Sequence, residues 1–256
     1  MKQTTVIVAL LAVAALAAVP GGAFAQDPAL VERGTAVYAS RCVICHGPSG
    51  DGKGLTGIIH RAQTSGIVIA IYPRDFTAGV FKFRSTPSGS LPTNDDLMRT
   101  VTEGISRSGM PSHSDLSLED RRAVVEFIKT FSPKWQEQEA SEPIDIGAVP
   151  SFVATPESVD RGREAYALMQ CAKCHGERGR GDGPSSGVLQ DSWGDRILPF
   201  DFTSGPLKGG ATAAAIYRTF VTGLDGTPMP SYGDAIEAED RWHLVSYCLE
   251  LMGGRS

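Results

Sequence analysis

The chain has 256 residues, a formal net charge of -5 and 41% hydrophobic residues. This length accommodates two domains, each large enough for its own core. A mildly acidic chain without a basic run is not typical of nucleic-acid-binding proteins, so no nucleic-acid partner is expected. After residue 25, no apolar stretch reaches the roughly twenty residues that a membrane-spanning helix requires.

The N-terminus has the pattern of a secretory signal peptide. Lys2 gives a positive start, an apolar run of fourteen residues extends from Val6 to Val19, and Ala23-Phe24-Ala25 is an A-x-A cleavage site. We therefore expect residues 1–25 to be a signal peptide that is cleaved near Ala25 and Gln26. An uncleaved N-terminal anchor is the alternative.

The first predicted helix leads directly into a Cys-x-x-Cys-His motif. Asp27 can cap a helix that has Pro28 in its first turn and runs to about Ser40, and Cys42-Val43-Ile44-Cys45-His46 follows. This spacing is typical of covalent c-type haem attachment, because each thiol can form a thioether to one porphyrin and the histidine can bind its iron. A zinc site or a redox disulfide is the alternative, but zinc needs four ligands and a disulfide pair needs no histidine.

The second half of the chain repeats the first. Thr155 and Pro156 start an equivalent helix that leads into Cys171-Ala172-Lys173-Cys174-His175. Each motif is then followed by a Pro-x-Asp-Phe-Thr-x-Gly segment, which begins at Pro73 in the first half and at Pro199 in the second. Matches that recur in the same order indicate a duplicated domain.

The repeat sets the predicted domain boundaries. We expect one domain at residues 26–132 and a second at residues 156–256, each with one haem. The linker between them, residues 133–155, contains three prolines and no helical periodicity, so it is predicted to be extended. The fifth cysteine, Cys248, lies in an apolar helical pattern and is interpreted as a buried core thiol.

Further helices are predicted after each motif. Residues 94–103 and 212–222 form shorter helical segments, each followed by a glycine suited to a C-cap. Ser117 can cap a final helix in the first domain, and an apolar stripe beginning at Trp242 marks the matching helix of the second. Strand signals are few, so an all-α fold is expected.

With these motifs the chain resembles the class I cytochrome c family, in a two-domain dihaem arrangement like that of the cytochrome c4 type. The resemblance implies two tandem class I cytochrome c domains joined by an extended linker, with haem c bound covalently at Cys42 and Cys45 and at Cys171 and Cys174. It also implies a close crossing of the first and last helices of each domain. This crossing would place Gly34 and Tyr38 against Phe127, and Gly162 and Tyr166 against Tyr247.

His46 and His175 are the predicted proximal iron ligands, and methionines are the candidates for the opposite side. Met98, Met169 and Met252 are interpreted as structural, because they lie on a helical face, beside a motif cysteine or at a helix end. Met110 and Met229 instead precede prolines, which hold the chain extended. The Met-Pro pattern also matches the distal ligand of the family, so these two are the predicted sixth ligands.

Histidines and basic residues offer further candidates in the first domain. His60, after the motif, and His113, three residues beyond Met110, leave bis-histidine ligation open for the first iron. Arg74, Lys82 and Arg84 are candidates to meet the haem propionates, and solvated surface charge is the alternative.

The resemblance implies a periplasmic electron-transfer protein with two haem c groups rather than an enzyme. Expected partners are redox proteins of a respiratory chain, such as a quinol-oxidising complex, a dehydrogenase, an oxidase or a reductase. Membrane association would be peripheral, through a partner. The chain could also be the haem subunit of such a complex. The alternative is a dihaem enzyme such as a cytochrome c peroxidase or a thiosulfate-oxidising cytochrome.

Overall fold

The structure is a computed structural model that describes residues 26–62 and 66–253. The expected signal peptide lies outside the described residues. Helices dominate the first half, with a two-stranded sheet between the second and third of them. The elements of this half are α1 Pro28–Arg41, α2 Val43–His46, β1 Ile59–Ala62, β2 Val68–Ile71, α3 Asn94–Glu103 and α4 Leu118–Lys129.

The second half repeats the order of the helices, without a sheet among its described residues. One short helix, α5 Lys134–Glu137, comes between the two halves. The helices that follow are α6 Pro156–Leu168, α7 Ala172–His175, α8 Ala213–Thr222 and α9 Ala238–Leu251. The fold is therefore mainly α-helical with two tandem domains, as the sequence predicts.

Side-chain caps fix the start of the first helix in each domain. The Asp27 carboxylate accepts a hydrogen bond from the Ala29 N–H at 2.9 Å, and the Thr155 hydroxyl accepts one from the Ser158 N–H at 3.3 Å. A proline occupies the first turn of both helices, where its missing N–H has no intrahelical partner to lose. Both predicted helix starts are confirmed.

The small sheet is the element that the sequence analysis missed. Strands β1 and β2 pair antiparallel, with Ile59 opposite Ile71 and His60 opposite Ala70. The second strand lies in a run of β-branched residues, which favour strands. The run is short enough that it does not change the mainly α-helical class.

The first and last helices of each domain cross at a glycine. A Cβ atom on Gly34 would overlap the Ala123 carbonyl group and lie 2.7 Å from Cβ of Phe127, and one on Gly162 would overlap the His243 carbonyl group. An aromatic pair packs beside each crossing, and the ring centroids of Tyr38 and Phe127 lie 5.1 Å apart. For Tyr166 and Tyr247 the corresponding distance is 5.2 Å. The predicted close crossing is confirmed in both domains.

Each domain has its own apolar core. The thiol-bearing Cys248 is 1% exposed within the second core, which confirms the prediction of a buried cysteine. Met98 packs against the first core and Met252 against the second, as expected for structural methionines. In residues 26–62 and 66–253, no helix combines the length and apolar character needed to cross a membrane.

The segment predicted as a linker, residues 133–155, begins with the helical turn α5. That turn forms because Trp135 is buried, with its ring centroid 6.2 Å from that of Phe81. After α5 the segment continues without helix or strand to Thr155. On the way, the Ile144 N–H donates a hydrogen bond to the Ser85 carbonyl at 2.8 Å, which holds the segment against the first domain.

Candidate functional site

The two motif histidines are held in the same way. In each, Nδ1 lies 3.1 Å from a backbone carbonyl oxygen, that of Arg74 for His46 and that of Phe200 for His175. A carbonyl only accepts hydrogen bonds, so Nδ1 carries the proton and Nε2 keeps its lone pair. Burial lowers the pKa of both imidazoles, which favours the neutral form that binds a metal.

Buried phenylalanines face the two histidines and belong to the repeated Pro-x-Asp-Phe segments. The ring centroid of Phe76 lies 4.5 Å from that of His46, and that of Phe202 lies 5.0 Å from that of His175. The aspartate before each phenylalanine shapes the turn. For example, Asp75 Oδ1 accepts hydrogen bonds from the Thr77 N–H at 2.8 Å and hydroxyl at 2.6 Å. These turns present the carbonyls that bind Nδ1.

No disulfide joins the four motif cysteines, all of which lie within the described residues. Burial raises the pKa of Cys42 to about 11 and that of Cys171 to about 11. A raised pKa favours the protonated thiol at Cys42 and Cys171. The helical turns α2 and α7 place the second cysteine and the histidine of each motif side by side.

The two predicted methionine ligands lie in loops with matching hydrogen bonds. The Met110 carbonyl accepts a hydrogen bond from the Ile105 N–H at 3.1 Å, and the Met229 carbonyl accepts one from the Leu224 N–H at 3.1 Å. Each loop thus returns toward the end of the preceding helix. Both methionine side chains are half-buried.

One cavity brings together the complete residue set of the second domain. It has a volume of about 850 Å³, and Cys171, Cys174, His175 and Met229 all line it. This volume falls within the range of cofactor sites, roughly 300–1,000 Å³. The corresponding residues of the first domain lie outside this cavity, although their local hydrogen bonds match those of the second.

The chain matches the family described as "Cytochrome C oxidase, cbb3-type, subunit III" twice, at residues 29–128 and 157–248. It belongs to this family. Both matches contain a Cys-x-x-Cys-His motif, and membership in a cytochrome c family implies covalently bound haem c. The repeated donor set, two cysteines with a neutral histidine and a methionine, fits that group.

Two proteins illustrate how far the similarity extends. The chain is 26% identical over 247 residues to the "Cbb3-type cytochrome c oxidase subunit FixP" of Azorhizobium caulinodans, covering 94% of this chain and 68% of the relative. It is 40% identical to a chain in the structure of the reducing HAO-like protein complex of Kuenenia stuttgartiensis. That match has a TM-score of 0.79 and covers 86% of this chain and 96% of the other.

Cationic side chains from both domains line the cavity of this cytochrome. Five of them come from the first domain and one from the second, namely Lys53, Arg61, Arg74, Lys82 and Arg107, and Lys208. Burial, and to a smaller extent neighbouring cations, lower the pKa of Lys82 and Lys208 to about 8. The carboxylates of haem would supply the opposite charge that these groups favour.

The sequence analysis missed four of these cations, because they come from separate segments that only the fold brings together: Lys53, Arg61, Arg107 and Lys208. Of the predicted propionate partners, Arg74 and Lys82 line the cavity. Arg84 does not. Its buried guanidinium is instead paired with Asp225 across the domain interface.

The two candidate histidine ligands of the first domain differ in their surroundings. His60 lies on β1 with its residue exposed, opposite Ala70. His113 is half-buried, and its charge contributes to lowering the pKa of His46. At the equivalent position the second domain has Tyr232, whose N–H bonds to Phe220 as that of His113 bonds to Val101.

Proposed function

We propose that this protein transfers electrons and carries two covalently attached haem c groups, one in each domain. Cys42 and Cys45 attach the first group, and Cys171 and Cys174 attach the second. When bound, haem supplies the one-electron redox chemistry. The protein contributes attachment, axial ligands and an environment that keeps these ligands in place.

The observation that carries the proposal is the matching hydrogen bond of the two proximal histidines. His46 and His175 each donate from Nδ1 to a backbone carbonyl at 3.1 Å, in loops that share one sequence pattern. Such a partner fixes ring orientation and makes the other nitrogen a better ligand. It would be an unusual coincidence for two half-buried histidines beside paired cysteines to share this geometry without binding metal.

In this proposal Met110 and Met229 would each supply a thioether ligand to the haem iron of its domain. Methionine and histidine ligands together would raise the reduction potential, which suits an electron carrier that does not bind substrate. The similar loops around the two methionines support the same role in both domains. For the first iron, His113 is the competing ligand.

We further propose that the protein acts in the periplasm, exported by the signal peptide at residues 1–25. Its partners would be respiratory redox proteins, such as a quinol-oxidising complex, a dehydrogenase, an oxidase or a reductase. Of the similar proteins, one is a subunit of a cytochrome c oxidase and another belongs to a redox-protein complex by name. These names favour a haem subunit of a larger complex, associated with the membrane through that partner.

The test is a potentiometric titration with optical spectra of the purified holoprotein and of the variants Met110→Ala and Met229→Ala. We expect mass spectrometry to show two attached haem groups. Each substitution should remove the methionine-to-iron charge-transfer band of one haem and change one of two titration steps. Because the two variants affect different steps, they also assign each step to a domain.

Three outcomes would count against the proposal. The absence of attached haem would end it, and an unchanged spectrum in either variant would reject that methionine as ligand. If Met110→Ala has no effect while His113→Ala does, the first iron is bis-histidine ligated. High-spin ferric iron or binding of carbon monoxide by the reduced wild type would instead favour a dihaem enzyme.

A further inference from the structure

The residues whose carbonyls hold the two proximal histidines also reach across the domain interface. Arg74 and Phe200 occupy the variable position of the repeated Pro-x-Asp-Phe segment. Their backbones have the same function, since each carbonyl accepts the Nδ1–H of its own domain's histidine. Their side chains differ in type, yet each forms a cation–π contact with the opposite domain.

Arg74 of the first domain contacts Trp193 of the second. Its guanidinium carbon lies 4.6 Å from the centroid of the indole ring, within the distance for a cation–π interaction. The indole also packs against Gly226, where a Cβ atom would lie 2.7 Å from the ring. Gly226 thus leaves the space that Trp193 occupies.

Phe200 of the second domain contacts Arg107 of the first. The guanidinium carbon lies 5.3 Å from the phenyl centroid, and Nη1 donates a hydrogen bond to the Ser204 carbonyl at 2.7 Å. Arg107 has a φ angle of 62°, in the left-handed region that few residues other than glycine adopt. The turn that closes between Ile105 and Met110 holds this backbone within the first domain, and the Arg107 side chain makes its contacts in the second domain.

We propose that these crossed contacts, Arg74 with Trp193 and Phe200 with Arg107, make each domain a positioning element for the proximal histidine of the other. Trp193 thereby influences the iron held by His46, and Arg107 influences the iron held by His175. This inference rests on the proposed function, since it requires both histidines to bind haem iron. It assigns a role in that function to two residues, each far in sequence from the histidine that it would influence.

The physical link is the strength of the Nδ1–H hydrogen bond. A firmly placed carbonyl makes the imidazole a stronger donor to iron, which favours the ferric state. Release of the Arg74 or Phe200 side chain loosens the segment that bears the carbonyl. The imidazole then becomes a weaker ligand for ferric iron, so the reduction potential of that haem rises.

The experiment is a potentiometric titration of the holoprotein carrying Trp193→Leu or Arg107→Lys, with steps assigned by the Met110→Ala and Met229→Ala variants. Trp193→Leu should increase the equilibrium constant for reduction of the first-domain haem at least threefold. This change corresponds to a reduction potential about 28 mV higher. The second haem should change less. Arg107→Lys keeps the charge but loses the planar guanidinium group. It should increase the equilibrium constant for reduction of the second-domain haem at least twofold, which means a higher reduction potential.

Two controls separate positioning from general loosening of the interface. Trp193→Phe keeps an aromatic face for Arg74, so it should restore most of the wild-type potential. Asp225→Ala removes an interface ion pair that contacts neither the Arg74 nor the Phe200 carbonyl. It should therefore not change one haem potential more than the other in the way that the Trp193 and Arg107 variants do. Electron paramagnetic resonance of the ferric protein gives an independent readout, because the low-spin signal of the affected haem should shift.

The inference is overturned if Trp193→Leu changes the haem of its own domain most, changes both equally, or changes neither. These results differ from failure of the proposed function. In that case the wild type itself would lack attached haem, or its two titration steps would not respond to the methionine variants. If the wild type shows two normal titration steps but neither variant affects the haem of the opposite domain, only the positioning role is rejected and the proposed function stands.

Discussion

Arg84 of the first domain and Asp225 of the second form an ion pair, with Nη2 2.8 Å from Oδ1 and the arginine side chain fully excluded from solvent. The same guanidinium nitrogen donates a hydrogen bond to the Thr222 carbonyl at 2.6 Å. Asp225 also accepts hydrogen bonds from the Ser88 hydroxyl and the Gly89 N–H. This set of bonds fixes how the two domains meet.

Asp225→Ala should destabilise the protein by about 3 kcal/mol, because it leaves the buried charge of Arg84 without its partner. The matched control is Asp115→Ala, which breaks an ion pair with Arg41 in which both side chains are about half exposed. An exposed pair contributes less than about 1 kcal/mol. Denaturant unfolding of both holoprotein variants measures the difference, and equal effects would contradict a special role for the interface pair.

Gly34→Ala and Gly162→Ala should each destabilise their own domain by about 3 kcal/mol or prevent it from folding, since the added methyl group overlaps a carbonyl of the facing helix. Gly187→Ala is the control, because the nearest side-chain atom to a Cβ there lies 4.0 Å away. Thermal unfolding monitored by haem absorbance reports the result. Stability close to that of the control would show that the helices can separate at little cost.

The sequence predicts the features of this cytochrome that depend on short-range pattern. The attachment motifs and the caps at Asp27 and Thr155 each need only a few residues at fixed spacing, whereas the glycine crossings were expected from the resemblance to the class I cytochrome c family. Duplication supports each of these predictions, because the same feature occurs in both domains. The order of the helices and the candidate ligands could therefore be predicted from the sequence.

Features that depend on distant segments could not be predicted in this way. Arg84 follows the first haem motif and suggested a propionate partner, but its partner Asp225 lies in the other domain and no local pattern joins them. Lys208 and Arg107 face one cavity only because two domains meet there. The second strand of the small sheet is the exception, because the β-branched run before Tyr72 is a local pattern that favours a strand.

Tyr38→Phe and Tyr166→Phe should each lower the free energy of unfolding by about 1–2 kcal/mol. The Tyr38 hydroxyl donates to the Gly47 carbonyl at 2.7 Å, and Tyr166 makes the same bond to Gly176. Burial raises the pKa of both phenols, so they remain protonated donors at neutral pH. The substitution leaves a carbonyl beside the proximal histidine without its partner.

The control for this pair is Tyr72→Phe, whose residue is 48% exposed. Water can replace any hydrogen bond of an exposed hydroxyl, so the change should be within about 0.5 kcal/mol. Denaturant unfolding of the three variants measures the effects. A loss in Tyr72→Phe as large as in the buried positions would show that the carbonyl bonds contribute little.

Lys82→Met and Lys208→Met should lower the reduction potential of at least one haem. Both lysines line the cavity with their ammonium groups desolvated, which holds the pKa of each at about 8. Ferric iron carries one more positive charge than ferrous iron, so loss of a nearby cation favours the ferric state. We expect at least a twofold change in the equilibrium constant for reduction, about 18 mV.

Arg122→Met is the charge-matched control, because Arg122 is exposed on α4 and solvent screens its charge. Its titration should superimpose on that of the wild type. Raising the salt concentration separates the two classes further, since screening weakens an exposed charge more than a desolvated one. Potentials that fall equally in the lysine variants and in Arg122→Met would mean that net charge, and not the cationic lining of the cavity, sets the potential of the haems.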